Sequence, residues 1–460
     1  MTNDANAPST MPELARTIGL GGAIAFVVGG VVGAGIYALI GPIGAQAGTA
    51  VWLAFAMAIV VSLLGAIPII QLASALPRAG AGYLYASRLI SPVLGTITSA
   101  WVILGGACST CVVSLALVSY IPLPEALAAH PHVAAVAVVA IFYFILLLGV
   151  RFAMGLQIVM AAQMLAALIV YIIAGVTQVD LAFSVVPRGG ASGFLLAVIL
   201  CYNTCLGFQV LAEMGEEIRD ARRTIPLALF VGSGLVAVIY ILVGMVFVNS
   251  LPFDPAAYES INAPLSASGE LLLSPALLAF LNFGAVTAGL TSLNAAAIAI
   301  PRELYAQARD GLLPSRIARI APHAKAPLVA LSVFIGLVVV LMLTHRDLDF
   351  YGYMAAVGIQ LMTSVMCFAC LRLGTREPAA YASAYIRFPK WALILCTVVT
   401  VIASIGFVVL IAIERPSVAL AYLLLTIAAW AYYRLSREAL GRSGQDVEMV
   451  AHTISEDRRP

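Results

Sequence analysis

The sequence predicts an all-α polytopic membrane protein with twelve transmembrane helices. The 460 residues are 62% hydrophobic and 10% charged, against roughly 45–50% apolar and about 25% charged in soluble chains. Long apolar stretches recur from Ile18 to Tyr433, near the ~20 residues that a bilayer-spanning helix needs. These runs are continuous, which excludes an outer-membrane barrel with its alternating segments of about 10 residues.

Reading the apolar runs between polar breaks places helices at 18–46, 49–76, 94–121, 133–150, 155–178, 191–218, 224–250, 273–303, 327–344, 350–373, 389–412 and 417–436. Turn-rich punctuation separates them: LPRAG, IPLP, VPRGG, LPFDP, GLLP and ERP. Basic loops are retained on the cytoplasmic side. With a cytoplasmic N-terminus, only Arg188, Arg346 and Arg415 of the 24 Lys and Arg residues lie outside. A shift of one helix would destroy that split, so it also checks the count. Residues 1–17 are polar and form a cytoplasmic tail; the first apolar run is too long for a cleavable signal. Arg302 to Lys325 is too polar to span and is expected to form a short cytoplasmic amphipathic piece.

The net charge of +2 and the lack of a basic stripe give no sign of nucleic acid. The seven cysteines all fall in apolar runs. Cys108/Cys111 and Cys367/Cys370 share a C-x-x-C spacing, but i, i+3 on a helix merely puts two small residues on one face. There is no zinc-ligand spacing and no G-x-S-x-G, and the histidines sit in loops or the tail. No enzyme, metal or cofactor is expected.

Helix 1 carries Gly29, Gly30, Gly33, Gly35, Gly41 and Gly44, each costing about 1 kcal/mol against alanine in a helix interior. Gly29 and Gly33 have the small-x-x-x-small spacing that brings helices together. The sharper reading is that VVGAGIY unwinds at mid-membrane and frees the amides of Gly33, Ala34 and Gly35. Freed amides in the hydrocarbon need a partner, and a carboxylate at the positive end of the following half-helix supplies one. Helix 6, five spans later, has YNTCLGF at its middle, where Asn203, Thr204 and Gly207 favour local bonds over regular helix. Interrupted helices at matching positions in two halves mark transporters built from inverted repeats.

Several stretches then resemble the amino acid–polyamine–organocation (APC) transporter superfamily. GAGIY at Gly33–Tyr37 is similar to the glycine signature of its first helix. LPRAGAGYLYASRLISPVLG at Leu76–Gly95, GEEIRDARRTIPLAL at Gly215–Leu229 and RELYAQARDGLLP at Arg302–Pro314 are similar to its cytoplasmic loops. The resemblance implies a 5+5 inverted repeat of the LeuT type with discontinuous helices 1 and 6. Repeat one would cover 18–178, repeat two 191–373, appended helices 11 and 12 389–436, and a cytoplasmic tail 437–460. It implies secondary transport of amino acids at the cell membrane by alternating access, coupled to H+ or Na+; an exchanger or a polyamine carrier of the same fold is the alternative. It sets no oligomeric state.

The resemblance also implies a site. The substrate carboxylate would meet Gly33, Ala34 and Gly35, and its ammonium the carbonyls of Cys201, Tyr202 and Thr204. Cys108, Phe208 and Leu290 are side-chain pocket candidates; being small or apolar, they favour a neutral, apolar substrate. Polyamines would demand acidic residues that helices 1, 3, 8 and 10 lack. A coupling cation would take Gly29 and Val32 of helix 1 with Ala288, Thr291 and Ser292 of helix 8; back-bonding of the two hydroxyls to their own helix is the plain alternative. The helix 5 lysine of many relatives maps to Gln163. Glu213 is a proton-carrier or inner-gate candidate, because a charge well inside the bilayer costs about 2.5–3.5 kcal/mol; a near-surface pairing with an arginine is its alternative. Glu216 and Glu217 are expected to face Arg219, Arg222 and Arg223.

Overall fold

A computed structural model describes residues 14, 16–120, 124, 127, 129–205, 207–261 and 263–442. Most of the expected 1–17 tail and residues 443–460 of the expected 437–460 tail lie outside the described residues. A helix occupies each of the twelve expected segments. The first is split into α1 (Leu20–Val31) and α2 (Ala34–Ala47). Then come α3 (Val51–Ala75), the short α4 (Ala81–Leu89), α5 (Pro92–Tyr120), α6 (Pro131–Leu147) and α7 (Val150–Gln178). The sixth segment begins as α8 (Gly190–Thr204), and α9 (Ala221–Ser250) is the seventh. After α10 (Pro255–Ser260) and α11 (Pro264–Leu272) come α12 (Pro275–Ala299), α13 (Pro301–Arg309), α14 (Leu328–Met342) and α15 (Leu348–Arg376). The chain ends with α16 (Pro378–Ala382), α17 (Lys390–Glu414) and α18 (Pro416–Arg442). Among the described residues, eight helical stretches are long and apolar enough to cross a membrane, and four shorter apolar helices accompany them.

Two expectations need correction. The sixth segment is not helical to 218: α8 stops at Thr204, and the chain resumes as a 3₁₀ turn over Phe208–Glu213. The stretch after Leu251 is not plain turn: α10 and α11 pack on α2. They approach through glycine. A Cβ on Gly41 would lie 2.5 Å from the Tyr258 carbonyl oxygen, and one on Gly44 would lie 3.2 Å from the Tyr258 ring.

The broken segments sit at the centre. α1 packs on α7, α9 and α12, and α2 packs on α8. α15 is 67% buried over its apolar window, whereas α17 and α18 are only 28% and 22% buried. The last two helices are therefore peripheral, and their exposed Trp391, Ile402, Ile413 and Leu423 suit hydrocarbon. All seven cysteines are buried and unbridged.

Candidate functional site

The first break is two residues long, Val32 and Gly33. Val32 still donates its N–H to Val28 O (2.7 Å), then turns to φ −77°, ψ 69°. That is an inverse γ-turn, closed by the Gly33 N–H on Val31 O at 2.8 Å. Gly33 is extended (φ −88°, ψ −161°), and α2 starts at Ala34. The Gly33 amide is thus engaged locally. The amides without an intrahelical acceptor are those of the first turn of α2, from Ala34 onward, so the donor set is displaced by one residue from the expected one.

The second break centres on Gly207, with φ +123°. A Cβ there would lie 2.7 Å from Gly30 O, so only glycine lets the two breaks touch. Gly35 faces Thr204: a Cβ built on it would lie 3.5 Å from Thr204 Cγ2, an ordinary contact distance. The carbonyls at the end of α8 are partly spoken for. Cys201 O accepts from Thr204 Oγ1 (2.7 Å) and from Cys205 N (3.2 Å), and Tyr202 O accepts from Cys205 N at 3.0 Å.

Tyr240 of α9 joins the breaks. Its fully buried hydroxyl lies 3.1 Å from Val31 O and 3.2 Å from Thr204 O. Both carbonyls end a half-helix, where the macrodipole is negative. A single O–H donor bridges two ends that would otherwise repel. Sequence reasoning missed this tyrosine, because nothing in α9 interrupts its apolar run.

The expected pocket side chains divide. Phe208 is at the second break and lines, with Val31, Cys205, Ser62 and Val236, an apolar cavity of about 20 Å³, room for about one water. Leu290 is not there: it turns to a separate apolar cluster with Leu117, Phe142 and Leu293. Cys108 is buried on the face of α5 that Gly105 presents to Gly358 of α15 and to the Tyr422 hydroxyl, away from the break. The α12 residue that faces Gly33 is Ser292, whose Oγ lies 2.6 Å from where a Cβ would stand. From α15, Gln360 accepts a hydrogen bond from Tyr202 Oη at 3.3 Å.

The expected cation ligands do converge. Ser292 Oγ is 3.5 Å from Gly29 O and 3.2 Å from Ala288 O, and Thr291 Oγ1 donates to Ala288 O at 2.8 Å. Val32 is fully buried. Both hydroxyls are back-bonded to their own helix. On α7 the residue that reaches this cluster is Gln157, not Gln163. Gln157 Nε2 lies 2.5 Å from a Cβ built on Gly29, while Asn294 Nδ2 donates to Gln157 Oε1 at 2.9 Å. Gln163 instead donates to Phe280 O (3.3 Å) and accepts from Thr287. Gln157 and Gln163 are six residues apart, well over a turn and a half of helix, and only packing fixes which one meets the break.

Glu213 is neither near-surface nor paired with arginine. It is buried (1% exposed) and accepts from the amides of Ala81 (2.7 Å) and Gly82 (3.3 Å) at the start of α4. Glu216 and Glu217 pair with Arg309 and Arg302, each at 2.7 Å, not with the neighbouring basic run. Those arginines lie on α13, within the Arg302–Lys325 stretch expected as a short amphipathic piece.

Residues 18–431 match the amino acid permease family. The chain is 29% identical over 374 residues to an uncharacterized transporter of Mycobacterium tuberculosis, covering 80% of this chain and 83% of that protein. It is 26% identical to the vacuolar cationic amino acid transporter 4 of Arabidopsis thaliana, over 78% of this chain and 64% of that one. It is 23% identical to the methylthioribose transporter of Bacillus subtilis, over 83% and 86%.

Proposed function

Because the chain belongs to the amino acid permease family of the APC superfamily, and is thus a membrane transporter and not an enzyme, we propose that it carries neutral, apolar amino acids across the cell membrane by alternating access. The observation that supports this most is the meeting of the two breaks. The amides of Ala34 and Gly35 open a half-helix at the point where α8 ends in Cys201, Tyr202 and Thr204. A zwitterion needs both poles: amides at a positive helix start for its carboxylate, carbonyls at a negative helix end for its ammonium. Gly33 serves as the hinge and leaves room for Ser292. The apolar Val31, Cys205 and Phe208 suit an uncharged side chain. Binding parts the close approach of Gly207 to Gly30, and that movement starts the change of access.

In this reading 18–178 and 191–373 are the inverted repeats, each opening on a broken helix. Both termini are cytoplasmic, with the arginine-rich ends of α4, α9 and α13 on that side. The oxygens of Gly29, Ala288, Thr291 and Ser292, near Val32, would hold the coupling cation if it is Na+; these carbonyls and hydroxyls do not titrate, so coupling to H+ would need a carboxyl such as Glu213. Exchange of one amino acid for another is the second reading. It is favoured by the back-bonded hydroxyls of Thr291 and Ser292 and by an uncharged amide, Gln157, beside Gly29.

Proteoliposome uptake of a labelled amino acid panel, with sodium and proton gradients imposed separately, tests the proposal. Gradient-driven accumulation of apolar amino acids is expected. Uptake only against internal amino acid selects exchange, and no uptake of any amino acid overturns the substrate class.

A further inference from the structure

Beneath α4 two carboxyl groups meet in a dry place. Glu303 is fully buried on α13 and accepts from the Tyr83 amide through both oxygens, at 3.2 and 3.0 Å. Glu213, at the end of the 3₁₀ turn, accepts from the two amides just before it, Ala81 and Gly82. The two carboxyls thus sit side by side on three consecutive amides: Glu213 Oε1 takes the Gly82 N–H, and Glu303 Oε1 lies 2.8 Å from where a Cβ on Gly82 would stand. Three segments far apart in sequence are clamped here: the α3–α5 connection, the end of the sixth span and α13.

The glycines of LPRAGAGYLY exist for this contact. Gly80 is left-handed (φ +73°), and a Cβ on it would lie 2.4 Å from Ala306 Cβ and 2.8 Å from Arg302 O. A Cβ on Gly82 would lie 2.8 Å from Glu303 Oε1.

The surrounding charges are engaged elsewhere. Arg302 holds Glu217, Arg309 holds Glu216, and Arg88 holds Asp310 at 3.2 Å. Tyr83 Oη donates to Asp310 (3.0 Å), Tyr85 Oη to Leu76 O (3.1 Å), and Gln307 Nε2 to Ser99 Oγ (2.7 Å). Two ionised carboxylates that touch in low dielectric repel strongly, and such a pair keeps one proton. Backbone amides add partial positive charge but no proton between the oxygens.

We propose that Glu213 and Glu303 share one bound proton and act as a latch that holds the inner side of the transporter shut. The proton is a ligand of the closed state. When the sixth span swings away from α13, the carboxyls separate into water and the proton leaves to the cytoplasm; on closing, one returns. This rests on the alternating-access reading for its consequence, though not for the proton itself. The closed state binds more protons than the open one, so falling internal pH favours closure and rising internal pH favours opening.

Two measurements test it. Infrared spectroscopy of the purified protein at neutral pH should show a protonated-carboxyl band that Glu303→Gln and Glu213→Gln each remove. No such band, or a band unchanged in both variants, overturns the shared proton whether or not any amino acid is carried. In amino acid exchange with internal pH varied and external pH fixed, the wild-type rate should change by up to about tenfold per pH unit, the limit for one linked proton. Glu303→Gln keeps a hydrogen bond without a proton and should flatten the profile. A wild-type slope that survives in both variants overturns the latch.

Discussion

After Gly33 the first span resumes as a regular α-helix of 14 residues, whereas after Gly207 the sixth span resumes as a 3₁₀ turn of six. The breaks sit in contact, yet the sequences that follow them differ in kind. AGIYALIGPIGAQA is apolar and goes on into the bilayer; FQVLAEMGEE turns polar within two turns and goes to the charged end. Only the first therefore presents a sustained set of aligned peptide dipoles, and the macrodipole is felt within the terminal turn of such a helix. The sixth span offers its pole on the other side of its break, at the carbonyl end of α8. The lesson is a division of labour: donors come from the first span, acceptors from the sixth, and Tyr240 ties the acceptor ends together.

The comparison breaks most readily at Gly33. Gly33→Leu drives a side chain into Ser292 and should cut uptake by at least about tenfold, the equivalent of one charged hydrogen bond at 1.5–3 kcal/mol, with membrane insertion retained on fractionation. Uptake at wild-type rate would remove the carboxylate cradle. Gly207→Ala is expected next. It forces a side chain onto a φ of +123° and against Gly30 O, at about 1–3 kcal/mol for the backbone alone, and should lower both the thermal midpoint and uptake.

Tyr240→Phe sharpens the comparison. It removes the donor shared by Val31 and Thr204, worth about 0.5–1.5 kcal/mol, and should raise KM by roughly 2–10-fold. Thr291→Ala should abolish sodium stimulation if the coupling ion is Na+, and sodium titration of uptake checks it. Gln163→Leu should change uptake less than about twofold, because its contacts are with Phe280 and Thr287, away from Gly29, and a lost neutral hydrogen bond there acts on stability at about 0.5–1.5 kcal/mol. A larger loss in Gln163→Leu than in Gln157→Leu would return the helix 5 role to Gln163.

Much of this was legible before any coordinates. Hydropathy and loop charge are local quantities, so the twelve segments were readable from runs of side chains. Both breaks were readable too, since glycine at mid-span is a local departure from helix propensity. The grouping of Gly29, Ala288, Thr291 and Ser292 followed from a resemblance; the structure brings Ser292 near Gly29 O but bonds both hydroxyls back to Ala288 O of their own helix. What the sequence could not set was rotation and register between spans. Each residue step turns a helix face by about 100°, and so Leu290 and Ser292, two positions apart, end on different sides of α12. The same ambiguity hid Gln157 behind Gln163 and turned Cys108 toward α15.

The sequence by itself determined that this chain crosses the membrane many times and that its first and sixth spans cannot run straight, because solvation of side chains and backbone propensity act residue by residue. The tertiary structure alone decided that Tyr240 bridges the two breaks, that α10 and α11 cover α2, and that Glu213 meets Glu303 across the start of α4. Those contacts join residues tens to hundreds of positions apart, and only the packing of whole helices sets them.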